Sequence, residues 1–311
     1  MSNQAPSLQL SGGEQSRVVR ERLYRYLLLL CASLTVVVTG SIIFTLAFDA
    51  LQFFELVDPV AFFTGTTWIT ARDQFGVLPL VTGTLLVTGV AALVAIPVGV
   101  LAAIYLSEYA SDRARSVLKP ALEILAGVPT VVYGYLALIY LTPFLRTLGL
   151  DLGTFNVLSA SIMVGVMVIP MVSSLSEDAM SAVPDSLRQG GFALGATKFQ
   201  VSTSVVVPTA ISGIFASFIL ALSRAIGETM VVVMAMGLRP RMLDLTSPTS
   251  SLQESGQTMT SAMVQAVTSD AGAASPTYKS MFALGLTLFA ITFVMNYLSN
   301  WIAERHREEY N

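Results

Sequence analysis

Apolar positions run together in long blocks along this chain instead of alternating with polar ones. Blocks at residues 26–48, 79–106, 120–145, 156–176, 209–237 and 277–302 each reach the roughly 20 residues that a helix needs to cross a bilayer. A helix satisfies its own backbone donors and acceptors in lipid. The strict two-residue alternation of a membrane β-barrel is absent. The pattern therefore predicts an all-α integral membrane protein with six transmembrane helices. The block at 26–48 follows a polar segment, residues 1–25. It is too long for a signal-peptide core and reads as a retained first span.

The polar connections predict the orientation. Arg17, Arg20, Arg22 and Arg25 before the first block, Arg113, Arg115 and Lys119, Arg188 and Lys198, and Arg305 and Arg307 all fall on one side. The other side holds Arg72, Arg146, Arg239, Arg241 and Lys279. Lys and Arg gather on the cytoplasmic side, so both termini are expected there, with 303–311 as a cytoplasmic tail. Two outer segments are long. Residues 49–78 carry Phe53, Phe54, Phe62, Phe63, Trp68 and Phe75 and read as an interfacial aromatic segment, or more sharply as a docking surface for an external partner. Residues 238–276 are rich in Ser, Thr and Pro. Within them Met259, Ala262, Met263, Ala266 and Val267 recur at helical spacing, which predicts a short amphipathic helix, either on the outer surface or re-entrant.

Composition agrees with the membrane reading. Hydrophobic residues make up 54% of the 311 and charged residues 12%, against about 25% charged in soluble domains. Mean hydropathy is +0.69. A net charge of −3 gives no footprint for nucleic acid. The single cysteine, Cys31, excludes an internal disulfide and a cysteine zinc cluster. The single histidine, His306, argues against a histidine metal site.

The loop VPDSLRQGGFALGATKFQVSTSVVVP, residues 183–208, predicts a compact knob of two short helices. Pro184 suits a helix start, and Gly195 breaks the helix before a second piece runs into the fifth span. Gly190 and Gly195 have the spacing of a phosphate-binding loop, but that motif needs Lys directly after the second glycine. Ala196 stands there and Lys198 comes later. Any ATP that drives this protein is bound by another chain.

Arg224 and Glu228 are the only charges between Pro208 and Gly237. Charges at the bilayer centre cost about 2.5–3.5 kcal/mol each on insertion scales, and they default to functional sites. At i and i+4 they fall on one face of a helix, as a structural ion pair or as a site for an anion in transit. The planar fork of Arg matches two phosphate oxygens. Glu228 can steady Arg224 when the path is empty, and it can accept a hydrogen bond from a protonated oxyanion. Phosphate near neutral pH keeps at least one proton and sulfate keeps none, so the pair suits phosphate better. Elsewhere, Pro97, Pro129 and Pro170 predict kinks in or near spans. Glu123 is expected to meet water or pack against Lys119.

Several of these stretches resemble a known family, the permeases of ABC importers. Its cytoplasmic motif, E-A-A, three residues, Gly, nine residues, then I-x-L-P, is matched in register by Gln189, Gly190, Gly191, Gly195, Val205, Val207 and Pro208. Gln189 replaces the usual Glu, and both alanines are glycines. The stretches RAIGETMVVVMAMG, EILAGVPTVVYG and QFGVLPLVTGTLL resemble the PstC type that serves phosphate importers. The resemblance implies that residues 77–302 form a permease domain of MetI-like fold built from the last five spans, after a first helix and outer segment at 26–76. It implies that the 189–208 loop docks on an ATPase subunit. It implies that Arg224 and Glu228 attend phosphate passage. The implied partners are a PstA-type sister permease, two copies of the ATPase, which binds ATP and Mg, and an external phosphate-binding protein. This chain then holds no cofactor, is no enzyme, and sits in the plasma membrane (the inner one where there are two). Rival readings are a permease for another oxyanion such as sulfate or molybdate, a proton-coupled anion carrier, and a scaffold or receptor.

Overall fold

A computed structural model describes residues 13–242, 244 and 247–305. The expected N-terminal segment before residue 13 and the tail from residue 306, with His306 and Arg307, lie outside the described residues. The chain divides between Asp49 and Ala50 into two compact units. Helix α1 (Gly13–Phe54) extends past its apolar block at both ends. Arg and Glu in the preceding polar stretch are good helix formers, so the helix needs no apolar surface to continue there.

The second unit begins with a small aromatic cap. Helix α2 (Pro59–Thr64) starts on the Asp58 carboxylate, which accepts from the amides of Val60 and Ala61. A hairpin of β1 (Trp68–Ile69) and β2 (Gln74–Phe75) pairs Trp68 with Phe75. Phe53, Phe62, Trp68 and Phe75 are buried together. Phe53 meets Phe62 and Phe75 edge-to-face at 5.5 Å between ring centres. Four of the six aromatic residues expected as an interfacial band thus turn inward, while Phe54 is partly buried and Phe63 stays exposed. The hairpin satisfies its own backbone, which allows the rings to pack against each other and against Leu80 and Met259.

From the cap, α3 (Leu78–Ile104) runs the length of the bundle and ends in a π-helical turn, Tyr105–Tyr109. Next come α4 (Asp112–Gly127), α5 (Thr130–Leu136), a π-helical turn at Ala137–Leu141 and α6 (Thr142–Thr147). The third apolar block is therefore not one straight rod. α4 meets α5–α6 at 91°, with Pro129 at the corner. Proline lacks the N–H that would carry the helix across. Helix α7 (Val157–Ser181) starts on the Asn156 side chain, which accepts from Ser159 N at 2.7 Å. Pro97 and Pro170 sit inside continuous helices. α3 and α7 pack along a seam of small residues, where a β-carbon on Gly99 would lie 2.7 Å from Val172 and one on Gly165 2.9 Å from the Ala91 carbonyl. Small residues allow the close backbone approach on which helix packing in membranes depends.

The chain turns through α8 (Asp185–Ala193) into α9 (Lys198–Val201), a π-helical turn at Ser202–Val206 and α10 (Val207–Thr209). It bends by 68° at Ala210 into α11 (Ile211–Ile226). The remaining helices are α12 (Met230–Ala235), α13 (Pro248–Gln253), α14 (Met259–Thr268) and α15 (Pro276–Arg305). Among the described residues, four helices are long and apolar enough to cross a membrane, or six if each bent pair is one span. The fold is an all-α membrane bundle carrying one two-stranded hairpin. α14 forms where the periodicity predicts it. Thr258 caps it reciprocally with Ser261, and Met259, Ala262 and Ala266 are buried. Val267 is exposed, so the apolar stripe is one residue shorter than expected.

Candidate functional site

The stretch SRAIGETM is not one helix. α11 stops at Ile226, and the chain passes through Gly227, Glu228 and Thr229 before α12 starts. Arg224 is in the last turn of α11 and is exposed, whereas Glu228 lies beyond the helix and is buried. The expected i, i+4 face is therefore corrected, and among the described residues no ion pair joins the two. Glu228 Oε1 accepts from Met230 N at 3.0 Å and Val231 N at 3.2 Å. That covers backbone donors which the start of α12 leaves open. The Glu228 carbonyl also accepts from Thr260 Oγ1 at 2.8 Å, which ties the break to α14. On the other side, Ser223 Oγ donates to Asn296 Oδ1 on α15 at 2.6 Å. A guanidinium thus stands open at a helix break that is tied through the Glu228 carbonyl to α14 and through the Ser223 side chain to α15. The carboxylate keeps its second oxygen outside the cap.

The signal for this break was present in the sequence. Gly closes a helix, and Glu-Thr directly before an apolar run opens one. The weight given to the i, i+4 charge spacing hid it.

The knob forms as the loop predicts. α8 begins after Pro184, and Gly195 follows it with φ of +80°, the left-handed region that disfavours side chains. Thr197 and Gln200 then cap α9 reciprocally. Gln189, Gly190, Gly195 and Pro208 are exposed, while Gly191, Val205 and Val207 are partly buried. The two glycines differ. A β-carbon on Gly191 would lie 3.0 Å from Val201, so α8 rides close on α9, but one on Gly190 meets open space. The tip is apolar: Phe192, Phe199 and above all Leu194, 90% exposed, stand outward.

Behind the knob lie charges whose partners the sequence reading missed. Glu177 on α7, 1% exposed, is paired with Arg115 and Lys119 of α4, and Lys119 also reaches Asp178. Glu123 is exposed, in line with the first of its two expected readings, and Lys119 pairs with Glu177 and Asp178 instead. Glu177 stands with Asp178 just past the fourth apolar block, and hydropathy there carries no signal of distant partners. Among the described residues, no group of three His, Cys, Asp or Glu side chains is arranged for a metal.

Comparison with known proteins gives the following. A family model described as "Binding-protein-dependent transport system inner membrane component" matches residues 95–308. The probable ABC transporter permease protein YqgH of Bacillus subtilis (strain 168) is 31% identical over 309 residues, covering 98% of this chain and 98% of that one. The phosphate transport system permease protein PstC of Xylella fastidiosa (strain Temecula1) is 32% identical over 306 residues, covering 91% of each. Among solved structures, the bacterial alginate ABC transporter in complex with alginate pentasaccharide-bound periplasmic protein superposes with a TM-score of 0.63 at 14% identity, over 93% of this chain and 96% of that one. This last likeness is one of fold.

Proposed function

Because the chain belongs to the family of binding-protein-dependent transport system inner membrane components, we propose that it is the phosphate-passing permease of an ATP-driven importer. Residues 77–302 act as the permease domain. The observation that carries the reading is Arg224, an exposed guanidinium at a break within the fifth apolar block, where the Glu228 carboxylate caps the next helix with one oxygen. The relatives named PstC, similar over most of their length, support phosphate as the anion. Arg224 binds two anion oxygens through its fork, and the Glu228 carboxylate accepts a hydrogen bond from the remaining phosphate O–H. No bond is made or broken, so this chain is a transport subunit and not an enzyme. Binding stays weak enough for the ion to leave.

The energy comes from ATP and Mg held by two ATPase subunits, on which the α8–α9 knob docks. A PstA-type permease completes the membrane pathway, and an external phosphate-binding protein delivers the ion. The complex sits in the plasma membrane with both termini of this chain cytoplasmic.

The test is uptake of labelled phosphate into vesicles that contain this chain with its partner subunits. ATP is inside, with excess sulfate or molybdate outside. ATP-dependent uptake that ignores both competitors and is lost in Arg224→Ala is the expected result. Uptake driven by a pH gradient without ATP would overturn the importer reading. Block by sulfate or molybdate would replace the substrate.

A further inference from the structure

The knob is fastened to the bundle by more than its apolar underside. Arg188, on α8, turns its guanidinium inward and is 16% exposed. Nη2 donates to Glu108 Oε1 at 3.2 Å and to the Met180 carbonyl at 2.8 Å. Nη1 donates to the Val183 carbonyl and to Asp185 Oδ1 at 3.2 Å. Glu108 belongs to the π-helical turn that ends α3 and is 7% exposed, and Ser107 Oγ donates to the same carboxylate oxygen at 3.1 Å. Next to it, Lys198 of α9 stands 5.2 Å over the ring of Tyr109. A single arginine therefore bonds the end of α3, the end of α7, the link after it and the first turn of α8.

Stability alone does not account for this arrangement. Replacing a buried ion pair by apolar side chains of equal volume is often neutral or stabilising. What such a pair adds is direction. The apolar contacts of Leu187 beneath the knob tolerate sliding, because hydrophobic attraction has no preferred orientation. Charge-assisted hydrogen bonds from a planar fork hold one geometry. We infer that Arg188 and Glu108 form the joint through which movement of the knob is passed to α3 and α7. They are positioning residues for transport and do not touch the anion. Without the joint, a push on the knob reaches the bundle chiefly along its own chain, through α9 and the bend at Ala210 into α11. The inference rests on the reading that the knob docks on an ATPase.

The experiment measures phosphate taken up and ATP hydrolysed in parallel, in vesicles holding the complete complex with its external binding protein. The background is Cys31→Ser. Arg188→Met is expected to keep most of the ATP hydrolysis and to lower phosphate moved per ATP by about tenfold, within the range of measured coupling energies. A second variant, Arg188→Cys with Glu108→Cys, is expected to behave alike until a short, reducible bifunctional thiol reagent links the two positions. Linking then restores transport per ATP, and reductant removes it again. An unchanged ratio in both variants overturns the joint. So does a joint fall of uptake and hydrolysis that the link does not repair, since that is the mark of a merely structural pair. A parent complex that moves no phosphate overturns the importer reading, and the joint with it. A parent that transports, beside variants with an unchanged ratio, fails the joint alone.

Discussion

Glu228 gives one carboxylate oxygen to the amides of Met230 and Val231, and glutamine in its place keeps an oxygen for them. Glu228→Gln is therefore expected to melt within about 0.5 kcal/mol of the parent, and Glu228→Leu to lose about 1 kcal/mol, the usual worth of a helix cap. Thermal denaturation of the detergent-solubilised protein measures both. If phosphate uptake nonetheless falls in Glu228→Gln, the charge itself serves the ion. Glu177 makes the opposite case. Its carboxylate is buried, and both of its cations come from α4. Changing Arg115 and Lys119 together to Met strands that charge and is expected to cost about 3–5 kcal/mol, clearly more than the two single changes added. The same melting assay reads it. Arg224 and Glu228 were legible as exceptional because they interrupt an apolar block. Their relation was not, because i, i+4 spacing implies a shared face only where the helix continues.

Helices whose signals are local were the readable ones. The knob was legible from Pro184, Gly195 and the apolar run behind them, and α14 from its spacing. A kink at Pro129 was legible, but its growth into a 91° corner between α4 and α5 was not, because Ile124, Leu125 and Val128 keep the block apolar up to the turn. Hydropathy reports burial in lipid and says nothing of direction. Two changes probe the knob as an element. Gly195→Ala places a β-carbon at a φ of +80° and is expected to cost about 1–2 kcal/mol, read as a lower melting temperature. Leu194→Asp leaves the fold intact, because that side chain is 90% exposed. It is expected to weaken capture of the purified ATPase subunit by about tenfold or more, as loss of an apolar anchor does. Equal capture by parent and variant would show that the tip does not face the ATPase.

Across the whole molecule, one unit after Asp49 holds the aromatic cap, the α3–α7 seam and the knob. The six apolar blocks announced the membrane class, while the cap stayed hidden, since aromatic residues near a membrane edge read alike whether they face lipid or one another. Trp68→Ala removes a ring packed against Phe62 and Phe75. It is expected to cost about 3–5 kcal/mol, with the loss confined to stability and phosphate transport per ATP unchanged below the new melting point. The placement of the ion pairs has a further consequence, for ionic strength. Glu177, Glu108 and Arg188 are largely shielded from water, while Arg241 and Glu254, paired beside α13, are each about half exposed. Dissolved salt screens exposed charges and scarcely reaches buried ones. Brine therefore loosens the segment around Arg241 and leaves the knob fastened. Between about 0.1 M and about 1 M salt, where the screening length falls from about 10 Å to about 3 Å, trypsin should cut increasingly after Arg241 while Arg188 stays protected. Such a protein softens first at the end away from its knob.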